Sequence, residues 1–389
     1  MNTIFLTGRI DSNNAGEWEK KIIGDNLIFD ASELEYISSA GLRVLMKARR
    51  KSGRKINIIN VSREVYDIFE TTGFTELFNV KKALRKISVE GCEEIGSGSY
   101  GRVYRIDPET IAKIYNPGIN LDFVQRERDT AQKVFLLGVP TAISYDVIQC
   151  GDSYGTLYEL LNAKTVAQII SENRERIPEM GKKCAQLLKQ LHNIKVEQDS
   201  NLPSRKVKLS NLIKSLAAYL KPEESNKILA FIDTVPDRKT FLHGDFNAKN
   251  IMVGDNGEFQ LIDLGDAAYG HPLWDIAGMI IPYVHFVKTA PLSVQEKSKM
   301  LAFNCEDAPI FWSEFCKEYF TFKTQQEIET FTEKFMIYSY LIHVVFSINY
   351  AGDNKELKQR AINSTVRGEL LPAIEKIKDF SFINEYFES

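Results

Sequence analysis

Residues 241–266 read FLHGDFNAKNIMVGDNGEFQLIDLGD, and this stretch constrains the chain more than any other. Three oxygen-bearing side chains recur in it: Asp245, Asn250 five residues later, and Asp263 eighteen residues after Asp245. Leu242 enters a short turn at His243-Gly244-Asp245, Ile251-Met252-Val253 leaves it as a strand, and Asp255-Asn256-Gly257 makes a hairpin turn into the strand Phe259-Gln260-Leu261-Ile262. Such a hairpin brings Asn250 and Asp263 together at one end, with Asp245 facing the same space. Grouped oxygen donors suit a hard cation such as magnesium. A positioned hydroxyl and a neutralised phosphate are most of what phosphoryl transfer requires. One Asp-Gly turn alone would be ordinary loop chemistry.

A second segment, Glu94-Ile95-Gly96-Ser97-Gly98-Ser99-Tyr100-Gly101-Arg102-Val103, is the candidate phosphate cradle. Glycines at 96, 98 and 101 let backbone approach phosphates, because no Cβ intervenes. Val103-Tyr104-Arg105-Ile106 continues as a strand and Thr110-Ile111-Ala112-Lys113-Ile114-Tyr115 forms another, whereas a dinucleotide fingerprint would open a helix. A lone GxGxxG is weak and is often a flexible turn. Its order relative to the distal segment is what gives it weight.

The motif His243-x-Asp245, then Asn250, then Ile262-Asp263, resembles the catalytic segment of aminoglycoside phosphotransferase and choline kinase-type enzymes. The resemblance covers about residues 87–389. It implies that Asp245 orients or deprotonates the acceptor hydroxyl, that Asn250 and Asp263 hold Mg2+, and that His243 supports the loop. It also implies that Gly96, Ser97, Gly98, Ser99, Gly101 and Val103 form the lid of an ATP (or GTP) site and that Lys113 is the strand lysine contacting phosphates. The partner of Lys113 is assigned to Glu127, with Asp129 as the rival, at about the start of the next helix. Strand-like segments Ala142–Ile148 and Gly155–Leu161 lead to a hinge, Glu159 to Ala163, where Glu159 and Leu161 would meet the base. Gly244 and Leu264-Gly265 stand where protein kinases carry Arg and Phe-Gly, and these departures favour the small-molecule branch.

Pro178 through Lys195 carries apolar residues at helical spacing, and His192 on it is taken as core. Leu273–Gly278 opens an apolar helix whose Asp275 resembles the aspartate bracing the catalytic loop; a helix-start carboxylate is the competing reading. From about residue 290 the chain is mostly helical. Phe335–Tyr350 is shorter than the roughly twenty apolar residues a membrane span needs and reads as a buried helix.

The first eighty residues alternate strands and helices: Thr3–Asp11, Asn14–Ile23, Asn26–Asp30, a helix beginning in Tyr36–Leu45, Lys55–Asn60 and Glu64–Thr72. Phe29-Asp30-Ala31-Ser32 followed by Ile37-Ser38-Ser39-Ala40-Gly41-Leu42 resembles the STAS domain of anti-sigma factor antagonists. In those regulators a serine at the start of that helix is phosphorylated, which makes Ser38 and Ser39 the candidates here, although Ala40 holds the place where that serine often lies. Helix capping alone would account for Ser at such a start.

The expected fold is an α/β STAS domain (1–80) followed by a two-lobed α+β protein-kinase-like phosphotransferase domain, with an N-lobe over 87–163 and a C-lobe over 164–389. The expected activity is transfer of a nucleotide γ-phosphoryl to a hydroxyl of a small molecule. A protein serine/threonine kinase acting on a STAS serine, in cis or in trans, and a non-catalytic partner-switching binding protein are the alternatives. A net charge of −3 gives no basic excess for nucleic acid. Five cysteines without metal spacing, and no basic segment leading an apolar one at the N-terminus, point to a cytoplasmic chain with no membrane association. A protein partner is expected only through the STAS domain.

Overall fold

In a computed structural model the described residues are 2–24, 26–98, 100–197, 200, 202–377 and 379–387. Ser99, one of the expected lid residues, lies outside them. The chain divides into two units, Met1–Glu90 with Val147–Gly155, and Gly91–Asp146 with Thr156–Ser389.

The first unit is a parallel sheet in the order β1 (Asn2–Ile10), β2 (Leu27–Ile37), β3 (Asn57–Val61) and β4 (Asn79–Lys82). Parallel neighbours need crossovers, and these are α1 (Ala15–Lys21), α2 (Ser39–Ser52), and α3 (Arg63–Thr71) with α4 (Phe74–Leu77). Leu6, Phe29, Ile58, Leu45 and Phe69 meet in its core. The sequence expectation is corrected at two places. Tyr36 and Ile37 belong to β2, because Arg9 and Ile10 pair beside them, and the helix begins only at Ser39. The short α4 and the edge strand β4, which together close the sheet, had no strong pattern of their own.

Gly41 is required by packing. A Cβ there would meet Ile37 Cγ1 at 2.6 Å and the Ile10 carbonyl at 2.9 Å, so α2 can descend onto β1 and β2 only with glycine. The Ser38 hydroxyl caps α2 by accepting from the Ala40 amide at 3.2 Å, while Ser39 is exposed. On α2, Lys47 pairs with Glu19 at 2.8 Å and Arg49 Nε donates to the Leu77 carbonyl at 2.7 Å. β5 (Arg85–Lys86) runs parallel to Ile148 and Gln149 in the same unit.

The second unit begins with an antiparallel meander, β6 (Glu93–Gly98), β7 (Gly101–Arg105) and β8 (Thr110–Tyr115). α5 (Leu121–Leu136) follows, capped by Asn120, whose side chain accepts from the Phe123 amide at 2.9 Å. Glu127 therefore sits in the second turn of α5, not at its start. β9 (Ser144–Cys150) and β10 (Ser153–Glu159) follow, with their Val147–Gly155 portion counted in the first unit. Beyond the hinge come β11 (Ala163–Thr165), α6 (Val166–Glu172), α7 (Ile177–His192), α8 (Arg205–Ser215), α9 (Pro222–Asp233) and β12 (Thr240–Leu242). The hairpin β13 (Ile251–Gly254) and β14 (Phe259–Leu261), then β15 (Ala268–Gly270) and α10 (Leu273–Ile280), lead into the helical remainder.

β13 and β14 pair Ile251 with Leu261 and Val253 with Phe259, so the hairpin read from the sequence forms in the register that sets Asn250 opposite Ile262. The Ile262 amide donates to the Asn250 carbonyl at 3.0 Å. The long helix Gln325–Ala351 buries Phe335, Tyr338 and Leu341 in the core. No helix among the described residues is long and apolar enough to cross a membrane.

Candidate active site

The loop between β12 and β13 is fixed from beneath by one buried carboxylate. Asp275, on α10 and 1% exposed, accepts from the His243 amide at 2.9 Å and the Gly244 amide at 2.8 Å. His192 Nε2 lies 3.2 Å from the same carboxylate, and its Nδ1 lies 2.6 Å from the Tyr319 hydroxyl. His192 thus does more than fill the core, since it belongs to the brace. Burial pushes the Asp275 carboxyl up, but the His192 hydrogen bond and the Gly244 amide outweigh it and hold it below the ordinary range.

His243 is fully buried, and that burial pushes its pKa below the ordinary imidazole value. Its Nε2 is 3.2 Å from the Ile262 carbonyl, and its Nδ1 accepts from the Asp245 amide at 3.2 Å. The imidazole therefore ties the loop to the end of β14. Asp245 in turn accepts from Asn247 Nδ2 at 3.0 Å and Asn250 Nδ2 at 2.9 Å. Burial, reinforced by the charges of Asp263 and Asp266, pushes its carboxyl up to about 7. A carboxylate so placed is poised to exchange a proton near neutral pH.

Asp263 follows β14 in a left-handed backbone conformation (φ 60°, ψ 59°), sparsely populated for a residue with a side chain. Its Oδ1 lies 3.1 Å from Lys113 Nζ, and the same ammonium is 2.6 Å from Glu127 Oε1. Burial alone would push the Lys113 pKa down, but Asp263 and Glu127 outweigh it and hold it above its ordinary value. Asp129, the rival partner, is paired with Arg128 instead. β8 and α5 are thereby tied to the end of β14 through one lysine.

These groups share one cleft of about 1530 Å³. Gly96, Ser97, Gly98, Gly101 and Val103 line it together with Lys113, Glu127, Asp245, Asn250, Asp263, Glu159 and Leu161. Single-ligand pockets run to roughly 1,000 Å³, so this space suits two substrates side by side. The Asn250 side chain donates to Asp245 through Nδ2, and its Oδ1 with the Asp263 carboxylate is an all-oxygen donor pair of the kind magnesium takes. The Glu159 amide donates to the Ile143 carbonyl at 2.9 Å, so part of the hinge backbone is already committed to the strand.

The glycines divide by cause. A Cβ at Gly101 would meet the Ile114 carbonyl oxygen at 2.1 Å, so glycine there serves the close approach of β7 to β8; a Cβ at Gly98 would meet nothing. Sequence reasoning missed Asn247 and Asp266, the latter held by Lys208 at 3.1 Å. It also missed three residues of the helical wall, His285, His343 and Glu369. Lone histidines on apolar helices carry no signal by spacing.

A model of the "Phosphotransferase enzyme family" matches residues 91–296, more than half the chain, and a "STAS domain" model matches residues 2–87. The first segment is 31% identical over 84 residues to a Bordetella bronchiseptica protein named as an anti-sigma factor antagonist, BtrV, covering 19% of this chain and 72% of that one. Among solved structures, the gentamicin complex of APH(2")-IIa is 16% identical with a TM-score of 0.44, covering 77% of this chain and 95% of that one. A ternary complex of an aminoglycoside phosphotransferase APH(4)-Ia mutant with ADP and hygromycin B is 12% identical with a TM-score of 0.46, covering 72% and 97%.

Proposed function

The chain belongs to the phosphotransferase enzyme family, and from that premise we propose that it moves the γ-phosphoryl group of ATP or GTP to a hydroxyl of a small molecule, with its STAS domain as a regulatory or docking module. One observation carries the reading: Lys113, Glu127, Asp245, Asn250 and Asp263, drawn from 150 residues of sequence, line a single cleft under the glycine hairpin.

In this reading the glycine hairpin and Lys113 hold the nucleotide phosphates, and Glu127 keeps the lysine extended. Asp245, anchored by Asn247 and Asn250, orients the acceptor hydroxyl and takes its proton as the phosphoryl group leaves the nucleotide. Asn250 and Asp263 would hold Mg2+, which when bound supplies neutralisation of the charge on the phosphate oxygens. The Asp275 and His192 brace acts only by keeping the loop in place.

Nucleotide turnover by the full chain with MgATP and MgGTP, against amino alcohols, sugars and aminoglycosides, tests this. Asp245→Asn and Asp263→Ala should each lower turnover by roughly 10²–10⁴-fold with the fold intact by circular dichroism. Unchanged turnover in either variant would refute the assignment. The same assay on Ser39→Asp, which adds charge at an exposed helix start, separates the two STAS roles: a regulatory module changes turnover, and a docking module does not.

A further inference from the structure

The helical wall of the cleft carries a cluster that phosphoryl transfer does not use. Among the described residues, the one gathering of three His, Cys, Asp or Glu donors is His285, His343 and Glu369, whose donor atoms lie within 4.8 Å of one another. His285 Nε2 is 3.1 Å from Glu369 Oε1, and His343 Nδ1 is 3.0 Å from Glu369 Oε2. The two imidazole rings are 5.2 Å apart by centroid. All three residues line the cleft.

Their placement is unusual in backbone as well as in chemistry. His285 ends the π-helical stretch Ile281–His285 and Glu369 sits in a second one, Ile362–Leu370, while His343 projects from the long helix Gln325–Ala351. π-helical turns are rare and concentrate at functional sites, because the extra residue in the turn re-aims the side chains that follow. Two of them here deliver two members of one cluster to a third on a regular helix.

We propose that His285, His343 and Glu369 form a binding site for a divalent first-row transition ion of the zinc class, with its remaining coordination position open to the cleft. The donor set decides the ion. Two imidazole nitrogens and one carboxylate are the ligands zinc takes when it keeps a fourth position free, and magnesium, which wants oxygen, is not suited to them. Tetrahedral zinc with ligand bonds of about 2.0–2.2 Å sets its donors roughly 3.3 Å apart. Each nitrogen already stands at about this distance from one oxygen of Glu369, His285 from Oε1 and His343 from Oε2, so an ion taking one oxygen from the carboxylate needs the other separations, all within 4.8 Å, to close. Such an ion would clamp three distant helical segments at the wall of the cleft and offer its open position to an oxygen of the molecule bound there. The inference rests on the wall alone, so it and the phosphotransfer reading fail separately.

The test is Co2+ titration of the full chain, stripped with a chelator and kept in a large excess of Mg2+ to occupy oxygen sites. One equivalent of Co2+ should give visible bands of a four- or five-coordinate nitrogen and oxygen site, displaced by Zn2+. His343→Ala, whose side chain is 32% exposed, and Glu369→Gln should each weaken binding at least about tenfold, since even residues behind metal ligands cost that much. His285→Ala should do the same, and His343→Ala keeps the test open if the more buried His285 variant does not fold. Thiolate-to-metal charge transfer, which would place the ion on Cys92 or Cys150, overturns the proposal. So does unchanged binding in His343→Ala, or no binding at all.

Discussion

Replacing Asp275 by alanine removes the acceptor for two backbone amides at once. The His243 and Gly244 N–H groups donate to opposite oxygens of this carboxylate at 2.9 and 2.8 Å, the first bond buried and the second part-buried. Hydrogen bonds to a charged acceptor contribute about 1.5–3 kcal/mol each. Set against the relief of no longer burying a carboxylate, the net loss is about 3–5 kcal/mol, the range for breaking a buried charge pair. Gly244 has φ of +86°, and the Asp266 carbonyl would lie 2.3 Å from a Cβ there, so the segment is hemmed in from above as well.

The consequence is local first. At 1.4 kcal/mol per decade, the opening constant for the His243 and Gly244 amides should rise by roughly 10²–10³·⁵-fold, read as lost hydrogen-exchange protection at those two residues. Turnover should fall by about 10²-fold, the cost of misplacing a catalytic group by about 1 Å. The folded state of Asp275 has a depressed pKa, so its stabilisation is present above the unfolded carboxylate value near 3.9 and is lost as pH falls below it. Wild type and Asp275→Ala should therefore converge in acid. Exchange rates at 243 and 244 that match wild type at neutral pH would refute the brace.

Gly101→Ala should destabilise the second unit by about 1–3 kcal/mol, as overpacking does, because the Ile114 carbonyl occupies the space of the new Cβ; Gly98→Ala, which meets nothing, should be near neutral. Urea midpoints of the two variants check this, and equal shifts would sink the distinction. Glu224 accepts bidentately from Arg367 at 2.7 and 2.9 Å, which pulls its carboxyl down to about 2. Glu224→Gln should cost about 1–2 kcal/mol at pH 7. That difference, present above the unfolded value near 4.3, should close as pH falls toward 2; a gap that persists at pH 2 would show that packing, not charge, holds the pair.

What was legible in the sequence is what local chemistry determines. Asp255-Asn256-Gly257 can only turn, so the hairpin that follows, and the meeting of Asn250 with Asp263, could be read from residues a few positions apart. Glu127 was legible as an acid near Lys113, but its turn of α5 was not, since the helix start depends on the Asn120 cap. The β2 strand ran on to Ile37 because its partner Ile10 lay 27 residues upstream, and pairing between distant segments leaves no trace in local propensity.

The brace and the wall illustrate a stronger limit. Asp275 was legible as a brace only through the family resemblance, because local chemistry makes it any acid in a first helical turn; the folded chain aims it at the amides of 243 and 244. His285, His343 and Glu369 are separated by 58 and 26 residues, and two of them are carried by π-helical turns that break the 3.6-residue periodicity on which helix reading rests. A periodic reading assigns such residues to the wrong face. The glycine-hairpin half of the cleft is built from turns and hairpins and so is written in short motifs, whereas the opposite wall is built from helices whose phase is altered by insertion, and its chemistry emerges only once those helices are packed.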